Sequence, residues 1–238
     1  MSNLYRLVFA PEQKTADTIR LTKEQQHYFK RVLRFGNRDR FIAMNGRGKS
    51  WLAEIDGENA KLLEIITLKT ELSVNLTLIT ALPKGNGYEQ ILRCCTELGV
   101  SRFIPVKTDR SLLKPSSNKV SRWRKIVTEA AEQAEREIVP QVVEPIAFKR
   151  AITDLIPPES NAYICIARGD LPSLWSCLQS DRRSEIIIAT GAEGGWTDTE
   201  IQFARSHQFQ SVSLGKSILR AITAPIVAAT LVSTATNN

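Results

Sequence analysis

From Val74 onward, apolar runs typical of buried strands alternate with segments that have the apolar spacing of helices. The strand-like runs include VNLTLITAL, RFIPV, AYICIA and EIIIAT, and the helical segments include GYEQILRCCTELGV and SRWRKIVTEAAEQAERE. Each connection between parallel strands must cross a face of the sheet, and a helix is the usual crossing element. The pattern therefore predicts an α/β fold with a mostly parallel sheet covered on both faces.

The N-terminal part of the chain follows a different pattern. The runs YRLVF, RFIAM, WLAEI and AKLLEIITL alternate apolar and polar residues, and turn formers such as Asn45-Gly46 and Asp56-Gly57 separate them. One helix is predicted over 23–34, with Tyr28, Val32 and Leu33 on a shared apolar face. We therefore expect a small barrel-like domain over residues 1–72, followed by the α/β domain over residues 73–238.

Basic residues are concentrated in two short stretches. The chain has 32 Lys and Arg against 25 Asp and Glu, for a formal net charge of +7. Residues 30–49 and residues 107–125 each carry seven basic side chains and one acidic side chain, with Phe35 and Trp123 interleaved. Such clusters suit phosphate neutralisation with some base stacking, so they favour a nucleic-acid partner. An ordinary solvated surface is the alternative.

Other classes of protein are disfavoured. The four cysteines have no Cys-x-x-Cys spacing and only two histidines accompany them, so we expect reduced thiols and no metal site. The N-terminus lacks the apolar core of a signal peptide. The uncharged stretch 221–238 contains Pro225 and several hydroxyl side chains, which predicts a buried C-terminal helix and no membrane span. A cytoplasmic protein is expected.

Two glycine-containing loops follow predicted strands. TGAEGGWT comes after EIIIA and runs into a capping box, Thr197-Asp-Thr-Glu200, that predicts the start of a helix, and LGKSILRAITAP comes after SVS. In an open parallel sheet, ligands bind at the carboxyl ends of the strands, and glycine lets a ligand approach the backbone closely. Neither loop matches a phosphate-binding loop or a dinucleotide fingerprint. From these residues alone, a tight strand-to-helix turn without a ligand is equally compatible.

Several motifs together resemble one known family. GAEGG and SLGKSILRAITA, preceded by ALPKGNGYEQILRCCTELGV, TDRS and EAAEQAEREIVP, are similar to the 16S ribosomal RNA uracil-N3 methyltransferase family of the SPOUT, or α/β-knot, superfamily. The resemblance covers essentially the whole chain. It implies a PUA-like, RNA-binding β-barrel followed by a methyltransferase domain with a deep trefoil knot. It also implies a homodimer, S-adenosylmethionine as methyl donor, and 16S rRNA or the small ribosomal subunit as partner.

The resemblance also implies roles for individual residues. Arg220 is the expected catalytic cation, because a positive charge can stabilise the uracil anion that develops when N3 loses its proton. The residues expected to line the methyl-donor site are Leu82, Thr190, Gly191, Glu193, Gly194, Gly195, Leu214, Gly215, Ser217, Ile218 and Leu219. The residues expected to contact RNA are Arg31, Arg34, Arg110, Lys114, Arg122 and Arg136.

Four positions depart from the family pattern. Ala192 replaces the proline of Gly-Pro-Glu-Gly-Gly, Ala221 and Ile222 replace a threonine and a glutamate after the expected catalytic arginine, and Cys95 replaces a lysine. Three interpretations therefore stay open. The chain methylates N3 of a uridine in 16S rRNA, it methylates another RNA, or it is a ribosome-binding or assembly protein whose catalysis is weakened.

Overall fold

The computed structural model describes residues 4–111, 115–157, 159–179 and 184–236, and the chain divides into two separately packed units. The N-terminal unit comprises Met1–Glu71 together with Ala131–Val139, and the C-terminal unit comprises Leu72–Ala130 together with Pro140–Asn238. A short segment far along the chain thus belongs to the N-terminal unit.

The N-terminal unit is built on a six-stranded mixed sheet. Its strands are β1 (Arg6–Val8), β2 (Lys14–Thr15), β3 (Thr18–Arg20), β4 (Arg40–Met44), β5 (Ser50–Asp56) and β6 (Asn59–Ile66). The order across the sheet is β1-β4-β5-β6-β3-β2, in which only β1 and β4 pair in parallel. The predicted turn at Asp56-Gly57 joins β5 to β6, and Gly57 adopts φ +63°, a conformation that suits glycine.

The predicted helix forms, but its inward face is different. Helix α1 (Lys23–His27) starts in a capping box at Thr22 and continues as a π-helical turn over Tyr28–Leu33. The buried residue is Phe29, whose ring lies 4.8 Å from that of Phe41, whereas Val32 is 58% exposed. A wider helical turn rotates successive side chains away from the 3.6-residue period, and the expected Tyr28 and Val32 face was wrong for this reason.

The segment 131–139 is held by a carboxylate of its own unit. Glu71 accepts hydrogen bonds from the Arg136 guanidinium at 2.6 Å and from the Ile138 backbone N–H at 3.0 Å. Arg136 is only 2% exposed. This corrects the expectation that Arg136 contacts RNA, because its charge is buried against Glu71 rather than presented to solvent.

The C-terminal unit contains the predicted parallel sheet. Its strands are β7 (Asn75–Ala81), β8 (Val100–Lys107), β9 (Gln141–Val142), β10 (Ile146–Ala147), β11 (Asn161–Cys165), β12 (Glu185–Thr190) and β13 (Gln210–Val212). The order is β10-β8-β7-β12-β11-β13, with β9 pairing β8, and every pairing is parallel. The helices are α2 (Gly87–Glu97), α3 (Ser117–Gln133), α4 (Phe148–Leu155), α5 (Leu174–Gln179), α6 (Asp198–Ser206) and α7 (Thr223–Thr236).

Packing in this unit follows the predicted periodicities. Tyr88, Ile91, Leu92 and Cys95 form the buried face of α2, and the Tyr88 ring lies 4.5 Å from that of Trp123 on α3. The C-terminal helix α7 buries its small residues and contacts α2, α5, β7 and β12. Loops that leave β7, β8, β12 and β13 therefore meet at one edge of a rigid sheet.

Two searches of the described residues bear on the disfavoured classes. No helix among them combines the length and apolarity needed to cross a membrane. Within the same residues, His, Cys, Asp and Glu form no group of three or more that could hold a metal ion. Burial raises the pKa of the Cys165 thiol to about 12, so this thiol stays protonated at neutral pH.

Candidate active site

The tightest turn at the carboxyl edge of the sheet is residues 191–197, termed here the glycine loop. The Gly195 amide donates to the Ala192 carbonyl at 2.8 Å, and Gly195 adopts φ +65°. A Cβ atom on Gly191 would lie 3.2 Å from the Cα of Gly195. A side chain at 191 would thus be crowded by the backbone of the turn, whereas a Cβ at 195 would meet nothing within 4 Å.

Two contacts anchor the end of the glycine loop. The Trp196 indole N–H donates to the carbonyl of Cys165 at 3.1 Å, and its ring lies 4.4 Å from that of Phe148. Thr197 opens α6 through the predicted capping box with Glu200. The loop is therefore fixed at its exit, and its remaining freedom is in residues 193–195.

Residues 109–111, termed here the cross-loop segment, connect this loop to a neighbour. The Arg110 guanidinium donates to the Gly194 carbonyl at 2.6 Å. The Ser111 hydroxyl donates to the Leu82 carbonyl, also at 2.6 Å. The segment thus joins the loop after β12 to the loop after β7.

The loop after β7 also contacts the glycine loop directly. The Lys84 amide donates to a Glu193 carboxylate oxygen at 3.0 Å. Leu82 is 3% exposed, so its side chain belongs to the wall of the site rather than its mouth. A Cβ on Gly87 would lie 2.7 Å from Cδ1 of Ile222, so Ile222 packs directly on the first residue of α2.

Residues 213–222, termed here the C-terminal loop, are held much less. The Ser213 hydroxyl contacts the amide and the carbonyl of Gly215 at 3.2 and 3.0 Å. Gly215 adopts φ +134° with open space where a Cβ would stand. Within the described part of the chain, the amides of 216–219 donate to no acceptor, and Ile218 is 60% exposed.

Arg220 stands where the C-terminal loop enters α7. Its carbonyl accepts from the amides of Thr223 and Ala224 at 2.9 and 3.0 Å, which fixes the backbone at this point. The side chain is exposed, and among described residues it forms no ion pair. Within that part of the chain, Arg220 therefore makes no surface salt bridge, the ordinary role for an arginine at a helix start.

The structure distributes the remaining expected residues as follows. Thr190 ends β12, is fully buried, and places its hydroxyl 3.5 Å from that of Thr80. Arg31 and Arg34 are exposed in the N-terminal unit, and Arg122 is exposed while pairing with Glu89 at 2.9 Å. Lys114 lies outside the described residues.

Sequence reasoning missed the residues that hold the loops together. Lys84, Asp109, Ser111 and Glu200 each bond to a neighbouring loop or to its start. Two of them, Asp109 and Ser111, lie in the quoted TDRS motif, which was the available signal. Among the described residues, this edge of the sheet thus combines a well-held glycine loop with a second loop that has unbonded amides and the exposed cation Arg220. Loops of this kind can bind a polar ligand through backbone groups and stabilise an anion beside it.

Comparison with known proteins finds a matching family model for each of two parts of the chain. A family model described as an RNA methyltransferase domain matches residues 70–233, and one described as an RNA methyltransferase PUA domain matches residues 21–68. The ribosomal RNA small subunit methyltransferase E of Synechocystis is 49% identical over 228 residues, covering 94% of this chain and 75% of the relative. That of Bacillus subtilis is 30% identical, covering 92% and 90%.

A solved structure matches the whole fold. The ribosomal RNA small subunit methyltransferase E of Neisseria gonorrhoeae, bound to S-adenosyl methionine, superposes with a TM-score of 0.86 at 29% identity. The match covers 98% of each chain.

Proposed function

The chain belongs to the RNA methyltransferase family, and we propose that it transfers a methyl group from S-adenosylmethionine to N3 of a specific uridine in 16S rRNA. One observation carries this proposal: the held glycine loop and the open C-terminal loop lie at the carboxyl edge of the same parallel sheet, and Arg220, near the end of the second, forms no ion pair with the residues that the structure describes. The same edge is the usual ligand site of parallel sheets.

The residues of these loops fit the methyl donor. Open space at the Cβ positions of Gly195 and Gly215 leaves room for a ligand against the backbone. The amides of 216–219, which are unbonded among the described residues, supply donors for a polar ring, and Leu82 supplies an apolar wall. When bound, S-adenosylmethionine supplies a methyl group already activated by its positive sulfur. The residues proposed to hold it are Leu82, Thr190, Gly191, Glu193, Gly194, Gly195, Leu214, Gly215, Ser217, Ile218 and Leu219.

Arg220 is proposed to act on the acceptor. Uracil N3 is a poor nucleophile until its proton leaves, and the resulting anion is stabilised by a nearby fixed cation. The capped backbone at Arg220 limits the positions its guanidinium can reach. The chain then contributes mainly orientation and charge stabilisation, and no side chain is assigned as general base.

The substrate is proposed to contact both units. Arg31 and Arg34 in the N-terminal unit, together with Arg122, offer exposed positive charge for RNA phosphates. Arg110 is exposed as well, but its guanidinium is engaged by the Gly194 carbonyl. Lys114 stays a prediction from the sequence. A homodimer, a trefoil knot in the methyltransferase domain, a cytoplasmic location and domains over 1–72 and 73–238 are proposed from the family resemblance.

The test is methyl transfer from labelled S-adenosylmethionine to small ribosomal subunits isolated from cells that lack this protein, followed by mapping of the modified base. The control uses subunits from cells that contain the protein, because the target base of these subunits is already methylated. N3-methyluridine at one 16S position supports the proposal. Methylation of a different base or RNA overturns the assigned target, and subunit binding without transfer overturns the activity.

A further inference from the structure

The cross-loop segment passes over the end of a strand that is not its own. It follows β8, yet Arg110 bonds to the loop after β12, and β7 lies between those two strands in the sheet. Ser111 bonds to the Leu82 carbonyl at the end of β7 itself. The segment therefore spans the carboxyl end of β7 and fixes the loops after β7 and β12 relative to each other.

Arg110 contacts Gly194 through both its charge and its stem. The guanidinium donates to the Gly194 carbonyl at 2.6 Å, a bond strengthened by the positive charge of the donor. A Cβ built on Gly194 would lie 3.2 Å from Cβ and Cδ of Arg110, so the aliphatic stem covers that face of the glycine. Gly194 is therefore held by this one side chain both at its carbonyl and on the face where a Cβ would stand.

The neighbouring residue secures the segment at the start of α6. The Asp109 amide donates to Oε1 of Glu200 at 3.0 Å, and Glu200 is 2% exposed. The Thr197 hydroxyl lies 3.1 Å from the Asp109 carboxylate and 3.2 Å from Oε2 of Glu200, so it can donate to either. A buried, multiply bonded carboxylate of this kind resists displacement. The backbone next to Arg110 is thus held firmly at the start of α6.

We propose that Arg110 is a positioning residue that holds the Gly194 carbonyl and thereby shapes the wall of the methyl-donor site. This inference rests on the proposed function, in which that wall binds S-adenosylmethionine. It gives Arg110 a different main role from the RNA contact suggested by its motif. Loss of the bond frees residues 193–195. Binding of the methyl donor must then order them, which makes its free energy of binding less favourable.

The experiment measures two affinities on the purified full-length protein. Calorimetry gives the Kd of S-adenosylmethionine, and a binding titration gives the Kd of a 16S rRNA fragment, for wild type, R110Q, R110K and R93Q. Arg93 is an exposed arginine on α2 away from these loops, so R93Q removes the same charge without touching the segment. R110Q is expected to raise the donor Kd about tenfold, as for loss of a hydrogen bond to a charged group.

The remaining outcomes separate positioning from charge. R110K is expected to restore part of the donor affinity, because it keeps the charge but loses the planar donor group. RNA affinity of R110Q is expected to match that of R93Q, and kcat at saturating donor is expected to stay within about threefold of wild type, since the bond is remote from the methyl acceptor. An unchanged donor Kd with weakened RNA binding would overturn the inference.

Two controls keep the result interpretable. If R110Q does not fold, S111A provides a second test, because it removes only the hydroxyl bonded to Leu82. A rise in its donor Kd of about threefold is expected from a neutral hydrogen bond, and no rise would count against the segment's role. If wild type itself fails to bind S-adenosylmethionine, the proposed function fails rather than this inference.

Discussion

The two glycine-containing loops at the carboxyl edge of the sheet are held in opposite ways. The glycine loop is bonded at Glu193, Gly194 and Trp196 to three different neighbouring elements. The C-terminal loop is tied to Pro172 and Leu174 only at Ser213, which also contacts Gly215, and exposed residues 215–218 then follow before the capped backbone at Arg220. The glycine loop is thus held along its length before any ligand arrives, whereas the amides of 216–219 donate to no acceptor in the part of the chain that the structure describes.

This difference suggests how the site divides its tasks. A rigid wall costs no ordering free energy on binding, so it favours affinity and a fixed orientation. A wall with unsatisfied amides gains hydrogen bonds only when the ligand binds, so its order should depend on the ligand. Arg220 lies where the C-terminal loop leads into α7. When the ligand orders this loop, it therefore also fixes the position of the cation proposed for the reaction.

The largest expected effect is that of R220Q on turnover. Loss of a preorganised donor to a developing anion costs roughly a hundredfold or more in kcat. The donor Kd should change by less than threefold, since Arg220 is assigned to the acceptor. Single-turnover methyl transfer at saturating donor measures the chemical step. K216Q, which removes another exposed cation of the same loop, is the matched control. An equal loss in K216Q would show that general charge, not Arg220, is responsible.

Hydrogen exchange tests the contrast between the loops directly. The amides of 216–219 have no acceptor among the residues that the structure describes, so they should exchange near the unfolded-chain rate without ligand. Saturating S-adenosylmethionine should slow them by roughly tenfold or more, because it supplies the missing acceptors. The Gly195 amide, which donates to the Ala192 carbonyl, should change much less. Strong protection of the glycine loop with none in 216–219 would reverse the assigned roles of the two walls.

The sequence predicted what depends on local pattern. Apolar runs that alternate with helical segments predicted the parallel sheet, and the capping box of Thr197 and Glu200 predicted the start of α6. Both predictions are confirmed. Glycine at 191 and 195 predicted a tight approach of backbone, although the sequence alone did not decide whether a ligand was needed. These features require only the spacing of neighbouring residues.

What the sequence could not provide depends on strand order. Arg110 reaches Gly194 because β7 separates β8 from β12, and no local pattern encodes that order. Arg136 has the charge and motif position of an RNA contact, but its segment packs in the N-terminal unit against Glu71. Burial of a charge by a distant carboxylate is a tertiary property, so the basic character of the motif was misleading there.

Alanine substitutions at Gly191 and Gly195 should distinguish a glycine that the turn needs for steric reasons from one that leaves room for the ligand. G191A is expected to lower the free energy of unfolding by roughly 1–3 kcal/mol, since its Cβ meets the fixed Gly195 backbone at 3.2 Å. G195A should cost about 1 kcal/mol from its positive φ alone. G85A, with φ +68° and open space outside the loop, matches that strain.

Urea denaturation measures these costs, and calorimetry measures the donor Kd. G195A is expected to raise the donor Kd beyond any change in G85A, because its methyl group enters space assigned to the ligand. Equal donor Kd values in G195A and G85A would remove Gly195 from the ligand wall. A smaller loss of stability in G191A than in G195A would contradict the tight turn.

The smallest expected effect concerns Ile222, where the resembling family has a glutamate. Its side chain packs on Gly87, so I222E replaces an apolar contact at the start of α2 with a carboxylate. The free energy of unfolding should fall by about 1 kcal/mol, a typical cost for a half-buried site, and I222V should fall by slightly less. We expect kcat of I222E to stay within about threefold of wild type, because packing at Gly87 already fixes the backbone that leads from Arg220 into α7. Parallel urea melts and methyl-transfer assays give both quantities. A rise in kcat of more than tenfold would instead mean that the missing carboxylate orients Arg220, and that the open wall of this chain is weakened as a catalyst.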